Sequence, residues 1–368
     1  MKKKLNQILC ATFCLYLLAA CTQKQTEASS RLFPAVQWNE HTSDNVLLSE
    51  AIGNYRVIPL ETNDSSLIDA TWTTKYLKRN NKFYVSSNSE ILKFSAEGKY
   101  LGKLSARGGG PEEYSSLVSF DVPTIQGNEE IWVGADDKLV RYDAETFEFK
   151  GNIPTSGVVI GMRYIDEEII LIFTSGDYLL GRYTLAGDMK EFLLEKDLSE
   201  DVRGVRHPFF TYKGRDYYQR NDTQSGFYYD TKTNKLCEVT FWPDENKVIT
   251  PTLKQEYLKE FGYMKFTKEL GKKYIEVTTI LTQDDTVLAI LSYPNKEDAL
   301  LLIKEGVTKI YPLSSIKNDI FQSESNRFLR TFFSCDSDDS FFCTVPANQF
   351  FADDVSHADN NAVILEFY

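Results

Sequence analysis

Histidine is almost missing from this chain. His41, His207 and His357 are the only three in 368 residues, and none has a second histidine or a cysteine at metal-ligand spacing. No cysteine pairs with a histidine in a recognisable catalytic order. The Gly-x-Ser-x-Gly elbow of a serine hydrolase is absent, and so is the Gly-Lys-Ser/Thr ending of a nucleotide-binding loop. Acidic residues cluster at Asp136-Asp137, Asp166-Glu167-Glu168, Asp284-Asp285, Asp336, Asp338 and Asp339, and Asp353-Asp354. None follows the Asp-x-Asp-x-Asp-Gly order of a calcium loop, so they read as acidic turn tips. No metal and no cofactor is expected. Basic charge is in deficit: 41 Lys and Arg stand against 53 Asp and Glu, a formal net charge of −12. A nucleic-acid partner needs a basic footprint, and adhesion to anionic lipid headgroups needs the same, so both are excluded.

Long apolar runs are also lacking, with one exception at the N-terminus. Lys2, Lys3 and Lys4 precede a mostly apolar stretch from Leu5 to Leu18, followed by Ala19-Ala20-Cys21. This is a secretory signal with a lipoprotein cleavage box. Cleavage before Cys21 leaves a lipidated N-terminal cysteine, so the mature protein is expected to be tethered to the envelope membrane through acyl chains and not to span it. The expected layout is a signal peptide over 1–20, a lipidated tether over 21–35 with a polar spacer from Thr22 to Ser30, and one folded domain over 36–368. A monomer on the outer membrane is expected. The tether has no adjacent acidic pair of the surface-export kind, and the side of the membrane is left open.

Of six cysteines, Cys10 and Cys14 leave with the signal and Cys21 is the lipid anchor. Cys237, Cys335 and Cys343 remain, an odd number for an oxidising compartment. Cys335 and Cys343 flank a hairpin turn. Centred on Asp339, that turn brings them opposite each other as a possible disulfide; a shift of one residue separates them.

What the chain has in plenty is aromatic residues, 24 Phe and 21 Tyr. Flat rings pack well on pleated sheets. A unit of strand, short polar turn and strand recurs: Ile91–Phe94 with Tyr100–Leu104, Leu139–Asp143 with Phe147–Ile153, Leu180–Tyr183 with Met189–Leu193, Phe227–Asp230 with Leu236–Trp242, and Ala299–Ile303 with Thr308–Tyr311. The anchor positions Phe94, Tyr142, Tyr183 and Tyr229 lie 48, 41 and 46 apart. A period in the forties built of short strands is the mark of β-propeller blades. The gap from Tyr229 to Ile303 is 74, and its excess reads as a helix with Thr250 as cap, Pro251 in the first turn, and Leu253, Tyr257, Leu258 and Phe261 on one face. A last strand, Ala362 to Tyr368, suits ring closure with a strand from the N-terminal side. The fold expected is all-β: a six-bladed β-propeller with a short helical insertion.

The segment Lys93 to Leu101 leads into Arg107-Gly108-Gly109-Gly110-Pro111-Glu112-Glu113-Tyr114. A strand repeat running into such a loop resembles the six-bladed β-propeller lipoproteins of Bacteroidetes, whose propellers are of the TolB-like or NHL-like kind. Their loop reads Gly-x-Gly-Pro-Gly-Glu-Tyr; Glu112 replaces its third Gly. The ending Asp359-Asn360-Asn361 is similar to that family's Asp-Asn-Pro, with Asn361 for proline. The resemblance implies an envelope lipoprotein with a propeller fold, and it brings no catalytic residues.

The three glycines could cradle an anion with backbone N–H groups or form a tight turn between blades. Arg107, Glu113 and Tyr114 are the preferred ligand contacts, offering a guanidinium fork, an acceptor and an aromatic platform. Trp242, at a strand end before Pro243, is the tryptophan expected to be exposed for ligand stacking, whereas Trp132 is expected in the core. A basic patch of Arg203, Arg206, His207, Lys213 and Arg215 could meet an anion. Two functions follow. One is a non-enzymatic binding or interaction module for a glycan, peptide or protein. The other is an enzyme, a glycoside hydrolase or lyase or a calcium-dependent lactonase, with two or more of Glu113, Asp121, Asp136, Asp166 and Asp222 converging in the channel.

Overall fold

A computed structural model of the chain describes residues 31–38, 45–69, 74–173, 176–196, 208–219, 223–242, 244, 247–262, 272–294, 297–321, 328–329, 332–334, 340–351 and 360–368. The signal segment, Cys21 and the spacer to Ser30 lie outside these residues, as do Trp72, Arg203, Arg206, His207, Asp222 and Cys335.

Six antiparallel sheets form the six blades of a β-propeller. Blade 1 runs Tyr76–Arg79, Lys82–Ser87, Glu90–Ser95 and Tyr100–Leu104 from the axis outward. Blade 2 is Ser119–Asp121, Asn128–Gly134, Lys138–Asp143 and Phe149–Pro154, with a short extra strand at Thr124–Ile125. Blade 3 is Val159–Ile165, Glu168–Phe173, Tyr178–Thr184 and Met189–Glu195. Blade 4 is Phe209–Tyr212, Arg215–Gln219, Ser225–Asp230 and Lys235–Thr240. Blade 5 is Glu276–Gln283, Thr286–Ser292, Asp298–Lys304 and Val307–Pro312. Blade 6 takes Phe332–Ser334, Phe341–Val345 and Val363–Phe367 from the C-terminal region and its outermost strand, Tyr55–Pro59, from the N-terminal side. The ring is thus closed by antiparallel pairing of Tyr55 with Phe367 through Pro59 with Val363.

Alternation along each strand sends one set of side chains to each neighbouring blade. In blade 5 the row Leu281, Leu288, Leu302 and Lys309 faces blade 6. The adjacent row Ile280, Ala289, Leu301 and Ile310 faces blade 4. The inner strands are tied across the ring. Ser119 Oγ donates to Val159 O at 2.7 Å, Lys75 Nζ to Phe120 O at 2.8 Å, and Thr282 Oγ1 to Thr211 O at 2.5 Å.

The predicted anchors Phe94, Tyr142, Tyr183 and Tyr229 are buried in blades 1 to 4, and Ile303 is buried in blade 5. Just before each anchor stands a residue that decides how two blades join. In blade 1 this is Lys93, whose ammonium reaches the outer hairpin of blade 2 at Ala144 O (2.9 Å) and Glu145 (2.6 Å). In blade 2 it is Arg141, which donates to Leu185 O of blade 3 at 3.1 Å. In blade 3 it is Arg182, which donates to Tyr229 Oη of blade 4. Blades 4 and 5 carry Tyr228 and Leu302 there instead.

The N-terminal arm fills those two joins. Phe33 and Trp38 pack into the core shared by blades 4 and 5. Leu32 N donates to Thr240 O at 3.0 Å. Residues 31–35, expected in the tether, therefore belong to the fold. The next segment, helix α1 (Leu48–Ile52), buries Leu48, Ala51 and Ile52 between blades 5 and 6. Asp319 receives the Ser49 N–H at 3.0 Å and holds α1 at its start. The predicted insertion is helix α2 (Pro251–Phe261), with Thr250 Oγ1 accepting from Leu253 N.

At the sixth join the charge is inverted. Glu366 precedes the anchor Phe367. Its buried carboxylate accepts from Lys78 of blade 1 at 2.5 Å, from Arg56 at 2.6 Å and from Ser340 Oγ at 2.8 Å. Nearby, Gly98 of blade 1 has φ +81°, and a Cβ there would lie 2.2 Å from Pro59 O, so only glycine lets the hairpin cross the closing strand. Asn361 locks the same corner. Buried, it donates to Glu61 O and Ser66 O and accepts from Ile68 N, each at 2.7 Å.

Cys343 is a buried free thiol, and its partner in register is Phe332. Cys335, its possible disulfide partner, lies outside the described residues.

Burial alone would raise the Glu366 pKa, but the hydrogen bonds from Lys78, Ser340 and Arg56 outweigh it and hold it below the ordinary carboxylate range. A depressed folded pKa adds stability that is present above the unfolded value and is lost as pH falls through the folded one. Glu366→Ala is expected to cost about 3–5 kcal/mol by stranding Lys78, read as a lower urea midpoint. The wild-type midpoint should drop more steeply on acidification below the carboxylate range than that of Glu366→Gln. Equal slopes would remove Glu366 from the acid response.

Candidate functional site

The Gly-rich loop joins blade 1 to blade 2 and is filled by its own side chains. The Glu113 carboxylate accepts from Gly110 N at 2.7 Å. Gly108 N donates to Tyr114 O, and Tyr114 N to Ala106 O. The anion cradle is therefore occupied from within. Tyr114 is fully buried, and its hydroxyl donates to Ser89 O at 2.7 Å. Burial pushes its pKa up to about 12. Tyr142 Oη donates to Glu112 O at 2.7 Å, and Asn152 Nδ2 to Pro111 O at 2.9 Å. Of the expected trio, Arg107 alone is exposed. Tyr114 is a staple and not an aromatic platform, and Glu113 is a loop lock.

Trp242 also departs from expectation: it is 1% exposed. Phe33 lies 4.9 Å away and Trp38 meets it edge-on at 6.0 Å, because the N-terminal arm covers the strand end. Trp132 is in the core as expected. Arg215 of the basic patch lies over the Tyr228 ring at 4.2 Å, and Lys213 is 3.5 Å from Asp285.

Of the carboxylates put forward for catalysis, Glu113, Asp121 and Asp136 each have a different partner. Asp121 pairs with Arg79 at 3.1 Å. Asp136 accepts from Ser115 Oγ at 3.1 Å. Asp166 occupies the turn after the inner strand of blade 3 with φ +46°. Among the described residues no group of three or more His, Cys, Asp or Glu is placed to hold a metal.

The open site lies elsewhere, in a cleft of about 590 Å³ between blades 5 and 6. Its walls follow from the pleat. Leu288, Leu302 and Lys309 come from one row of blade 5, and Leu300 and Tyr311 from the next. Phe341 and Phe367 face them from one row of blade 6. That row continues to Tyr55 at the outer edge. Helix α1 closes one side. Two exposed apolar side chains line the cleft, Val307 at 56% and Tyr368 at 48%, beside the charged Glu50, Asp284, Lys304 and Glu305. Exposed apolar groups gathered at a cleft mark an interaction site more than the same groups scattered.

This cleft exists because blade 6 lacks an outer hairpin. In blades 2 and 3 the outer hairpin offers carbonyls to the preceding blade's cation. In blade 6 that hairpin is replaced by the last residue and the start of the closing strand, with Tyr368 N donating to Asn54 O. A cation at position 302 would have no such carbonyl to grip, and the chain carries leucine there. A sequence signal was available: a cation precedes the anchor in units one to three and a leucine in unit five.

Comparison with known proteins agrees with this architecture. A family model described as "Domain of unknown function (DUF4934)" matches residues 33–362. The chain belongs to the DUF4934 family. A candidate exported protein from Bacteroides fragilis has the same fold, with a TM-score of 0.70 and 18% identity over 89% of this chain and 97% of that one. A DUF4221 family member from Bacteroides vulgatus follows at TM-score 0.52 and 12% identity, covering 86% and 96%. No curated protein matches. The resemblance to six-bladed Bacteroidetes propellers thus holds for the fold, and the DUF4934 match begins at Phe33, where the arm first enters the core.

In this DUF4934 chain a Cβ at Gly108 would lie 1.9 Å from the Glu113 carboxylate. Gly108→Ala is expected to expel that side chain and cost about 1–2 kcal/mol. A double-mutant cycle with Glu113→Ala should be non-additive; additive losses in urea unfolding would separate the two residues.

Proposed function

We propose that the protein is a lipid-anchored envelope module that binds a ligand without transforming it, and that the cleft between blades 5 and 6 is where it binds. The observation that carries this reading is a cleft floored by Leu288, Leu302, Phe341 and Phe367 with Val307 and Tyr368 exposed in its lining. A rigid ring with a pre-formed concave site suits binding. Three of the five carboxylates put forward for catalysis, Asp121, Asp136 and Glu113, are held by Arg79, Ser115 and Gly110 N. The address is supported by Lys2 to Lys4, the apolar stretch and Ala19-Ala20-Cys21. The exported description of a structural neighbour agrees with it. With the fold starting at Arg31, Thr22 to Ser30 forms a short spacer between lipid and ring.

Cys21→Ser is expected to move the protein from the membrane pellet to the soluble fraction. Retention in the pellet would sink the anchor. A thermal-shift screen against glycan, peptide and small-molecule sets should yield at least one stabilising ligand whose effect Val307→Asp removes. A blank screen, or a ligand indifferent to Val307→Asp, would count against the cleft.

A further inference from the structure

We infer that the cleft between blades 5 and 6 takes a small amphiphilic carboxylate, with its apolar body on Leu302, Phe341 and Phe367 and its anionic head at Lys309 and Lys304. This rests on the binding reading above and names its ligand chemistry.

The size fits first. About 590 Å³ lies within the range of roughly 300–1,000 Å³ for small-molecule sites. The polarity fits next. The floor is aliphatic and aromatic, so a hydroxyl-rich ligand would bury groups there without partners, at a cost in free energy. The charge decides the head group. Register places Lys309 directly opposite Leu302 on the face that lines the cleft. Lys304 stands one row further on, opposite Val307. Other lysines of the ring are committed: Lys78 to Glu366, Lys82 to Glu129 and Lys93 to Glu145. Among the described residues neither Lys304 nor Lys309 forms an ion pair.

Three acids also line the cleft, Glu50 on helix α1 and Asp284 and Glu305 on hairpin turns of blade 5. Glu50 stands in the first turn of α1, where it accepts from Leu47 N at 3.3 Å. Asp284 and Glu305 sit on the hairpin turns of blade 5, with φ +47° and +52°, at the end of the sheet and not on its face. Of these charged residues, Lys309 is the one that stands directly opposite a floor residue, Leu302, in strand register, and this place is what favours an anionic head.

The test uses the chain from residue 21 onward with Cys21→Ser, which keeps every described residue. Sodium decanoate, decanol and decyltrimethylammonium are titrated calorimetrically below their aggregation concentrations. Decanoate is expected to bind one molecule per chain, and decanol about tenfold more weakly or worse, a difference of about 1.4 kcal/mol for the lost charge contact. The ammonium compound should not bind. Lys309→Glu should abolish the preference for decanoate over decanol. Leu302→Arg, which puts in blade 5 the cation that blades 2 and 3 carry, should fill the floor and remove binding. Val307→Asp changes an exposed position, so it tests the mouth without disturbing the core, and should weaken decanoate by about tenfold or more. Absence of decanoate binding, equal binding of the ammonium compound, or indifference to both Leu302→Arg and Val307→Asp would overturn the assignment. If decanoate fails while the screen yields a glycan or peptide lost in Val307→Asp, the amphiphile falls and the binding reading stands. If the screen is blank too, both fall.

Discussion

The pairing of Tyr55–Pro59 with Val363–Phe367 is the constraint on which the rest of this molecule depends. A four-stranded blade cannot bury both its faces alone; it needs a neighbour on each side. Only a shut ring gives every blade two neighbours and leaves short edges. Here the final contact joins residues about 310 positions apart, as with Arg56 and Glu366. Such closure costs chain entropy before it returns any burial. The corner is accordingly over-determined, by Glu366 with donors from Lys78, Arg56, Ser340 and Tyr368, by the Asn361 side chain with its three hydrogen bonds, and by Gly98 passing under the closing strand.

Away from the closing corner the blades are joined in two different ways. From blade 1 to 2, 2 to 3 and 3 to 4, a lysine or arginine reaches across to the next blade. These are charge-assisted hydrogen bonds to fixed acceptors, directional and specific. Where the cation is replaced by Tyr228 or Leu302, the N-terminal arm supplies apolar wedges, first Phe33 and Trp38, then Leu48 and Ile52. A wedge fills volume without fixing every contact, so it leaves room. The cleft lined by Leu302 is that room, and it sits beside the one blade built from both ends of the chain.

Much of the fold was legible because propeller blades are local. The strand–turn–strand units, the buried anchors Phe94, Tyr142, Tyr183 and Tyr229, the Thr250-capped helix and the closing strand all follow from period-two patterns and turn residues. The misjudged residues depend on distant partners. Trp242 looks like an exposed strand end until Phe33 and Trp38 cover it from two hundred residues away. Tyr114 looks like a loop aromatic until Ser89 O takes its hydroxyl. Glycines in a row suggest an anion site, but the anion is Glu113 itself. The cleft left one trace, a leucine at a position where other units carry a cation, and its meaning requires knowing which blade has no hairpin.

The docking of residues 31–33 on blade 4 has a mechanical consequence. A pull from the N-terminal side of the chain does not reach the closing strand directly. It meets the Leu32–Thr240 and Phe33–Phe241 hydrogen bonds first, and then the buried ring of Phe33. Force is shared with the outer strand of an intact blade before Tyr55 feels it. The arm therefore acts as a strain relief: a pull on the chain ahead of Arg31 loads the side of the ring and spares its clasp.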